Sequence, residues 1–319
     1  MKDKMRALRL RMGGNMQPLF LLGIIFVMVI LQAILVPGSV TVDQFLLVSR
    51  QASALGIIAL GQAAVILVGG TDLSVGSMVM ITNLFCIAMM QASNEHVVFG
   101  LMVCLLIGIA VGLANAIGVL VLKIAPFVMT LCSMTILEGI CYVYTQGAPT
   151  GSAAPFIRAV GTGHLGKVPY STVIWLLLAL IMWIVLRFTT LGRKIYAVGG
   201  NAKAARLSGI SNNGITALAY IFSALMSTTA GIILSGYLNI TSLTVGGDYV
   251  MNSLAAVLIG GNAIEGGKGG VWGVVLGAFF MMFLMAILTM VGISEVGKKI
   301  TQGVIIFAVV AFQSAVKKD

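Results

Sequence analysis

Long apolar blocks separated by short polar joints run through almost the whole sequence, and this alternation restricts the fold more than any other feature. A bilayer core about 30 Å thick is crossed by about 20 apolar residues in a helix. With 59% hydrophobic and 9% charged residues, the composition lies far from the globular balance of about 45–50% apolar and about 25% charged. The sequence therefore predicts an all-α, polytopic integral membrane protein, with residues 1–319 forming a single transmembrane domain.

The apolar blocks predict about ten transmembrane helices. They cover residues 17–36, 43–68, 77–91, 97–122, 126–146, 171–188, 214–237, 250–261, 270–291 and 300–316. Basic residues lie at the ends of these blocks and form no patch with interleaved aromatic residues. The net charge of +10 is therefore explained by basic residues at the membrane faces, and we expect no nucleic-acid partner.

Basic residues divide unevenly between the two faces of the predicted bundle. With the N-terminus in the cytoplasm, 14 of the 19 basic residues lie on the cytoplasmic side. Cytoplasmic loops of membrane proteins carry an excess of Lys and Arg, so both termini are predicted to be cytoplasmic. The outer charged set is Arg50, Arg158, Lys167, Lys298 and Lys299, with the acids Asp43, Glu95, Asp248 and Glu295.

One apolar run is interrupted by ILVGGTDLSVGS, residues 66–77, and resumes at once as MVMITNLFCIAMM. The stretch AVILVGGTDL (64–73) aligns without gaps to AAVLIGGNAI (255–264), which pairs Gly69 with Gly260 and Gly70 with Gly261. We infer an internal repeat, with units at about 43–122 and 234–316. Both copies run in the same direction in the predicted topology, although misplacing one short span would make the repeat inverted. Repeated halves with interrupted helices are typical of transporters.

Polar side chains at this interruption are candidates for a transport path. Thr71, Asp72 and Ser74 offer polar groups where a helix can end inside the membrane. Alternatively, Asp72 accepts hydrogen bonds from the N-terminal amides of a helix that begins near Ser74, and such a capped helix can still line a path. Three amides in apolar spans are likewise either path residues or helix-packing contacts: Gln62, Asn83 and Asn115.

Glu138 is a carboxylate within an apolar span. It lies 12 residues after Pro126, roughly 18 Å along the helix axis at 1.5 Å per residue. A charged residue at the middle of a membrane helix costs on the order of 2.5–3.5 kcal/mol on insertion scales. We expect Glu138 either to face a path or a polar partner, or to be protonated or hydrogen-bonded within the bundle.

No motif indicates a cofactor, a metal site or a nucleotide site on this chain. Cys86, Cys104, Cys132 and Cys141 fall within apolar spans at spacings that match no metal pattern, so we expect them to be buried small hydrophobic residues. In GNAIEGGKG, Asn262 replaces the first glycine of a phosphate loop, and Gly269 replaces the Ser or Thr that follows Lys268. We expect no catalytic residue and no cofactor.

The longest positively charged inner loop is RFTTLGRKIYAVGGNAKAARLSGISNNG, and a segment at about residues 189–213 makes up most of it. Its middle, Ala202–Leu207, is alanine-rich and lies between the glycines Gly199, Gly200 and Gly209. This pattern predicts a short helix outside the bilayer. Such a helix suits docking to a soluble partner.

Four ordered motifs, GGTDLSVGS, APFVMTL, TLGRKIYAVGGNAKAARLSGI and LIGGNAIEGGKGG, closely resemble the membrane permeases of ribose-type ABC sugar importers. The resemblance covers residues 43–312, approximately. It implies a bacterial inner-membrane subunit that pairs with a second permease chain, a cytoplasmic ABC ATPase and a periplasmic sugar-binding protein. It also implies an ATPase-coupling role for Gly192, Arg193, Gly199, Asn201, Ala204, Ala205, Ser208 and Gly209.

The expected function is an alternately accessible path for a monosaccharide or a similar small polyhydroxylated solute, driven by ATP on another chain and without covalent chemistry. The alternative is a stand-alone secondary transporter or facilitator, for which Asp72 and Glu138 are the candidate ion-coupling carboxylates. Three positions depart from the family pattern. Val250 and Asn252 stand where Glu and Asp are expected, and Glu138 stands where an Arg is common.

Overall fold

A computed structural model of the chain describes residues 16–316. This part of the chain contains 13 α-helices and one two-stranded hairpin. The helices are α1 (Met16–Leu35), α2 (Val42–Leu67), α3 (Val75–Met90), α4 (Val97–Leu120), α5 (Pro126–Thr145), α6 (Pro155–Thr162), α7 (Tyr170–Phe188), α8 (Thr190–Gly200), α9 (Ala202–Leu207), α10 (Asn212–Leu238), α11 (Gly247–Ile259), α12 (Val271–Met290) and α13 (Glu295–Val316). The strands, β1 (His164–Leu165) and β2 (Val168–Pro169), pair antiparallel between α6 and α7.

The predicted all-α membrane fold is confirmed. Seven of the described helices are long and apolar enough to cross a membrane: α1, α2, α4, α5, α7, α10 and α12. Helices α3 and α11 are apolar but shorter, with 16 and 13 residues. Helix α13 is long but carries Glu295, Lys298 and Lys299 near its start. These ten helices correspond to the ten predicted spans, whose ends differ from the helix ends by up to five residues.

Helix α2 forms the centre of the bundle together with α10. Every residue of α2 from Ala52 to Leu67 is buried, because α7, α10, α11 and α12 pack around it. Helix α10 also contacts α3, α4 and α6. An apolar helix that is buried on all sides has no lipid-facing surface. Residues 52–67 of α2 can therefore carry polar side chains that contact only protein.

Charged residues lie at two opposite ends of the bundle. At the first, called here the Arg50 end, Arg50 contacts His164 and the ring of Tyr237, and Asp248 pairs with Lys299 at 3.7 Å. The second, called here the Arg193 end, holds α8, α9 and an exposed basic set: Arg187, Arg193, Lys194, Lys203, Arg206 and Lys268. Among the described residues, these groups separate as the sequence predicts. Lys2, Lys4, Arg6, Arg9, Arg11, Lys317 and Lys318 lie outside the described residues.

Helices α2 and α11 both run from the Arg50 end to the Arg193 end and terminate in the same backbone motif. At α2, Gly69 N–H donates to Ile66 O at 2.9 Å and Gly70 N–H donates to Val65 O at 2.9 Å. At α11, the corresponding donors are Gly261, to Leu258 O at 3.0 Å, and Asn262, to Val257 O at 3.2 Å. Gly69 and Gly261 have φ of +83° and +87°, the left-handed conformation that a Schellman cap requires. The motif therefore matches Gly69 with Gly261, one residue away from the pairing in the sequence alignment. The duplication itself stays a prediction.

Four local features differ from the sequence prediction. Helices α6 and α8 and the β-hairpin lie in segments for which no regular structure was predicted. Cys86, Cys104 and Cys141 are buried as expected, but Cys132 is exposed, so the prediction for Cys132 was wrong. The buried face of α5 carries Thr130, Ser133, Leu137 and Cys141, and Cys132 points away from it.

Candidate functional site

The interruption between α2 and α3 is built around a buried carboxylate. Asp72 Oδ1 accepts hydrogen bonds from Ser74 N–H at 2.9 Å and from Ser74 Oγ at 2.6 Å, and Asp72 Oδ2 accepts one from Ser223 Oγ at 2.7 Å. The Ser74 amide lies at the start of α3, where a carboxylate is favoured by the helix dipole. The capping alternative for Asp72 is therefore what the hydrogen bonds show, and Ser223 also ties the break to α10.

The same network extends to α4 and α5. Asn115 Nδ2 donates to Ser74 Oγ at 3.0 Å, and Ser133 Oγ donates to Asn115 Oδ1 at 2.5 Å. Asp72, Ser74 and Asn115 are all buried. A buried network whose members all have partners rigidifies its site. Side chains from α4, α5 and α10 thus hold the interruption in one conformation.

Backbone groups of the interruption are also held by neighbouring helices. Leu73 N–H donates to Thr130 Oγ1 at 3.0 Å, and Tyr220 OH donates to Thr71 O at 3.4 Å. A buried backbone group without a partner costs about as much as a lost hydrogen bond, so these contacts allow the chain to leave the helical conformation within the bundle. Among the described residues, the Thr71 hydroxyl itself makes no hydrogen bond.

The other predicted path residues lie outside this network. Asn83 connects α3 to α10 and to the segment that follows α10. Its Nδ2 donates to Ser235 Oγ on α10 at 3.0 Å and to Ile240 O at 3.2 Å. Its Oδ1 accepts from Ser242 N–H at 2.9 Å. Gln62 is buried in α2, and neither of its amide atoms has a hydrogen-bond partner among residues 16–316. A path role for each of these residues stays a prediction.

Glu138 lies on α5, one position away from the buried Leu137. Its side chain is half-buried, and no hydrogen bond or ion pair to it is found within residues 16–316. Leu131, Thr135 and Tyr142 lie on the same side of α5 as Glu138, at i−7, i−3 and i+4, and all three are exposed. At this position the carboxylate can contact a second chain, or a polar path, at the surface of α5.

The sequence prediction missed Ser133, Ser223 and Thr130, which complete the buried network. A usable signal was present: Thr130, Ser133 and Leu137 share one face of α5, and Ser223 and Ser227 share one face of α10. Small polar residues at such helical spacing mark helix–helix contacts in membranes.

The inner loop folds into two helices, and the predicted short helix is confirmed as α9, Ala202–Leu207. Asn201 caps it by accepting from Ala204 N–H at 3.0 Å. Ala205 packs inward against Val198 and Ile215, whereas Ala204 is exposed. The predicted coupling residues Arg193, Ser208 and Gly209 are also exposed, and Gly192 is buried against the backbone of α7.

A glycine junction, made by Leu67, Gly69, Gly199, Gly266 and Gly267, joins this loop to both helix interruptions. Gly267 N–H donates to Leu67 O, the carbonyl at the end of α2, at 2.9 Å. A Cβ on Gly199, at the end of α8, would collide with that same carbonyl oxygen, and a Cβ on Gly266 would lie 2.8 Å from Gly69 N. Only glycine allows three backbones to approach this closely. The junction therefore places α8, the first of the two inner-loop helices, in direct contact with the two breaks.

A side-chain hydrogen bond supports the same connection. Tyr196 OH on α8 donates to Gly269 O at 3.0 Å. Burial raises the pKa of the Tyr196 hydroxyl, and the nearby Arg187 partly opposes this effect. The phenol therefore remains protonated and can donate at neutral pH.

The fold and these contacts define a polytopic membrane protein whose two interrupted helices, α2 and α11, are joined to the loop helix α8 at the glycine junction. The family model for the permease component of a branched-chain amino acid transport system matches residues 44–310. The chain belongs to this family of transport-system permease components.

Individual relatives agree with this assignment. The chain is 36% identical to the ribose import permease protein RbsC of Haemophilus influenzae, over 90% of each chain. It is 33% identical to RbsC of Bacillus subtilis, over 95% of this chain and 94% of the relative. It is 29% identical to the galactose/methyl galactoside import permease protein MglC of Haemophilus influenzae, over 91% and 93%. The expected resemblance to ribose-type permeases is confirmed. No solved structure matches the chain.

Proposed function

We propose that the chain is the permease subunit of an ATP-driven importer for a monosaccharide or a similar small polyhydroxylated solute. The glycine junction is the observation that carries this proposal, because it connects an exposed docking helix to the interrupted helices of the membrane domain. Relatives named for ribose and galactose import support the sugar as the substrate class.

ATP hydrolysis is assigned to a separate cytoplasmic ABC ATPase. The proposed docking surface is the exposed side of α8 and α9, which includes Arg193, Asn201, Ala204 and Ser208. No cofactor on this chain is needed for this role. Displacement of α8 by the ATPase would move the carbonyl of Leu67 and the Gly267 amide together, since the three backbones are in contact at the glycine junction.

The proposed orientation places the Arg193 end and both termini in the cytoplasm of a bacterial inner membrane. The exposed basic residues of the Arg193 end support this orientation through the positive-inside rule. The Arg50 end then faces the periplasm, where a sugar-binding protein delivers the solute.

The proposed path lies between this chain and a second permease chain. The hydrogen bonds of Asp72, Ser74 and Asn115 are satisfied by protein, which supports a structural role for this network inside one subunit. Glu138 is the predicted path residue best placed to face a partner, because α5 exposes its outer side.

The test is reconstitution of the chain in vesicles with its ATPase and its sugar-binding protein, followed by uptake of radiolabelled D-ribose and D-galactose. Uptake that requires ATP and both partners supports the proposal. Uptake by the chain alone, driven by an ion or solute gradient, would instead establish the secondary-transporter alternative. A matched control uses vesicles with a catalytically inactive ATPase, for which no accumulation is expected.

A further inference from the structure

Two neighbouring cavities open at the Arg50 end, each with a volume of about 260 Å³. The first lies between Arg50, Ser171 and Tyr237, and the second lies between Asp248, Asn252 and Lys298. Tyr249 and Met282 line both, so these two side chains form the partition between the cavities. Pockets for drug-sized ligands measure about 300–1,000 Å³. Each cavity therefore fits a smaller molecule.

Each cavity is lined by a buried polar side chain that lacks a partner. Asn252 is 6% exposed and Ser171 is 1% exposed. Within residues 16–316, neither Asn252 Oδ1 nor Ser171 Oγ has a hydrogen-bond partner. An unpaired buried polar group is destabilising and is therefore uncommon in a folded chain. Rotation about the terminal torsion of Asn252, which is broad, would turn its amide toward a ligand hydroxyl.

Charges around the second cavity are balanced. Lys298 pairs with Glu295 at 2.6 Å, and Lys299 pairs with Asp248 at 3.7 Å. The rim thus carries both donors and acceptors without a strong net charge, and the Tyr249 ring supplies an apolar wall. A neutral monosaccharide has hydroxyl groups and apolar C–H faces, which match a rim of this kind and an aromatic wall.

We propose that these cavities form a receiving site for a neutral monosaccharide, in which Tyr249 packs against the sugar ring and Asn252 hydrogen-bonds its hydroxyl groups. This inference rests on the proposed function and adds a location to it. In the proposed orientation the site faces the periplasm, so it takes the sugar from the binding protein before the solute passes along the path.

The experiment measures binding of radiolabelled D-ribose and D-galactose to the full chain in lipid nanodiscs by equilibrium dialysis. We expect saturable binding of at least one neutral sugar. Asn252→Leu and Tyr249→Ala should each raise its Kd at least tenfold, while Tyr249→Phe, which keeps the ring, should stay within about threefold of the unaltered chain. Asn213→Leu is the matched control, because Asn213 is exposed at the opposite end of the bundle.

Three outcomes would overturn the receiving site. They are absence of saturable neutral-sugar binding, unchanged Kd in both Asn252→Leu and Tyr249→Ala, and tighter binding of D-galacturonate than of D-galactose, which would indicate an anion site. If Asn252→Leu fails to fold, Asn252→Ser replaces it and is expected to weaken binding in the same direction. A reconstituted importer that takes up sugar normally with Asn252→Leu and Tyr249→Ala refutes only this site. An importer that takes up no sugar at all refutes the proposed function.

Discussion

Asp72 is the residue on which the α2–α3 interruption depends, because its carboxylate accepts three hydrogen bonds from Ser74 and Ser223. Asp72→Ala leaves these donors without an acceptor. Each buried donor that loses its acceptor lowers the stability of the fold by about 1–3 kcal/mol. We expect a clear loss of stability in urea or thermal unfolding of the purified chain.

Thr71→Val serves as the control for Asp72→Ala, since the Thr71 hydroxyl makes no hydrogen bond among the described residues and the backbone carbonyl that accepts from Tyr220 is kept. It should change the free energy of unfolding by no more than about 0.5 kcal/mol. Equal stability of the two variants would show that the carboxylate does not hold the interruption in place.

Gly199 and Gly200 are adjacent, yet the structure gives them opposite tolerance for a side chain. A Cβ on Gly199 would collide with Leu67 O, whereas a Cβ on Gly200 would meet no atom within 4 Å. Gly199→Ala should therefore destabilise the chain by roughly 1–3 kcal/mol, as overpacking does, and reduce ATP-driven uptake. Gly200→Ala should be neutral or should stabilise α8 by up to about 1 kcal/mol. Thermal unfolding and vesicle uptake check both variants, and the same response from both would contradict the close packing at the junction.

Glu138 is half-buried, and its neighbours on the same side of α5, Leu131 and Tyr142, are exposed. We expect Glu138→Gln to preserve assembly, because the amide keeps the shape of the carboxyl group, and to lower uptake or change which sugar is carried. Thr135→Val, at an exposed position about one turn away, should leave uptake unchanged. If Glu138→Leu gives a chain that is at least as stable and transports the same sugars at the same rate, Glu138 has no place in the path.

At the scale of elements, α9 is exposed on one side, and on the other side its Ala205 packs against Val198 and Ile215. Ala204→Asp adds bulk and charge on the exposed side and leaves the buried Ala205 contact intact. We expect normal insertion with at least a tenfold loss of affinity for the ATPase, equivalent to about 1.4 kcal/mol. Copurification and surface plasmon resonance measure the loss.

Ala159→Asp provides the matched substitution for Ala204→Asp. Ala159 is exposed on α6, next to Thr162 at the Arg50 end, and should not affect ATPase binding. Undiminished ATPase affinity in Ala204→Asp would exclude α9 from the docking surface.

The sequence allowed α9 to be predicted but not α8, and the reason is physical. Alanines dominate α9 and have the highest helix propensity, whereas α8 ends in two glycines, which have low propensity. Packing of Gly199 and Gly267 at the junction overrides that local preference, and such a contact between distant segments is not visible in one sequence. Asp72, Ser74 and Asn115 could be predicted because they are conspicuous in apolar spans. Ser133 and Ser223 could not be placed in the network without knowing which helix faces meet.

For the whole molecule, the arrangement of charges predicts the orientation in the membrane. Ala202 and Thr162 are both exposed, and they lie at opposite ends of the bundle. In a chain with Cys86, Cys104, Cys132 and Cys141 replaced, we expect Ala202→Cys to react with an impermeant thiol reagent only from the cytoplasmic side. Thr162→Cys should react only from the outside. Labelling of both from the same face would contradict the span count.

The central position of α2 has a consequence for the order in which the protein is made. Helix α2 ends at Leu67, but its neighbours α10, α11 and α12 begin only at Asn212, Gly247 and Val271. At a synthesis rate of about 5–20 residues per second, α2 waits on the order of 10–30 s for α10. During that interval Gln62 and Asp72 lack their native surroundings, and Ser223, which donates to Asp72, has not been translated. The nascent chain therefore needs either the insertion machinery or temporary contacts with α3 and α4 to shield these polar groups from lipid until its second half arrives.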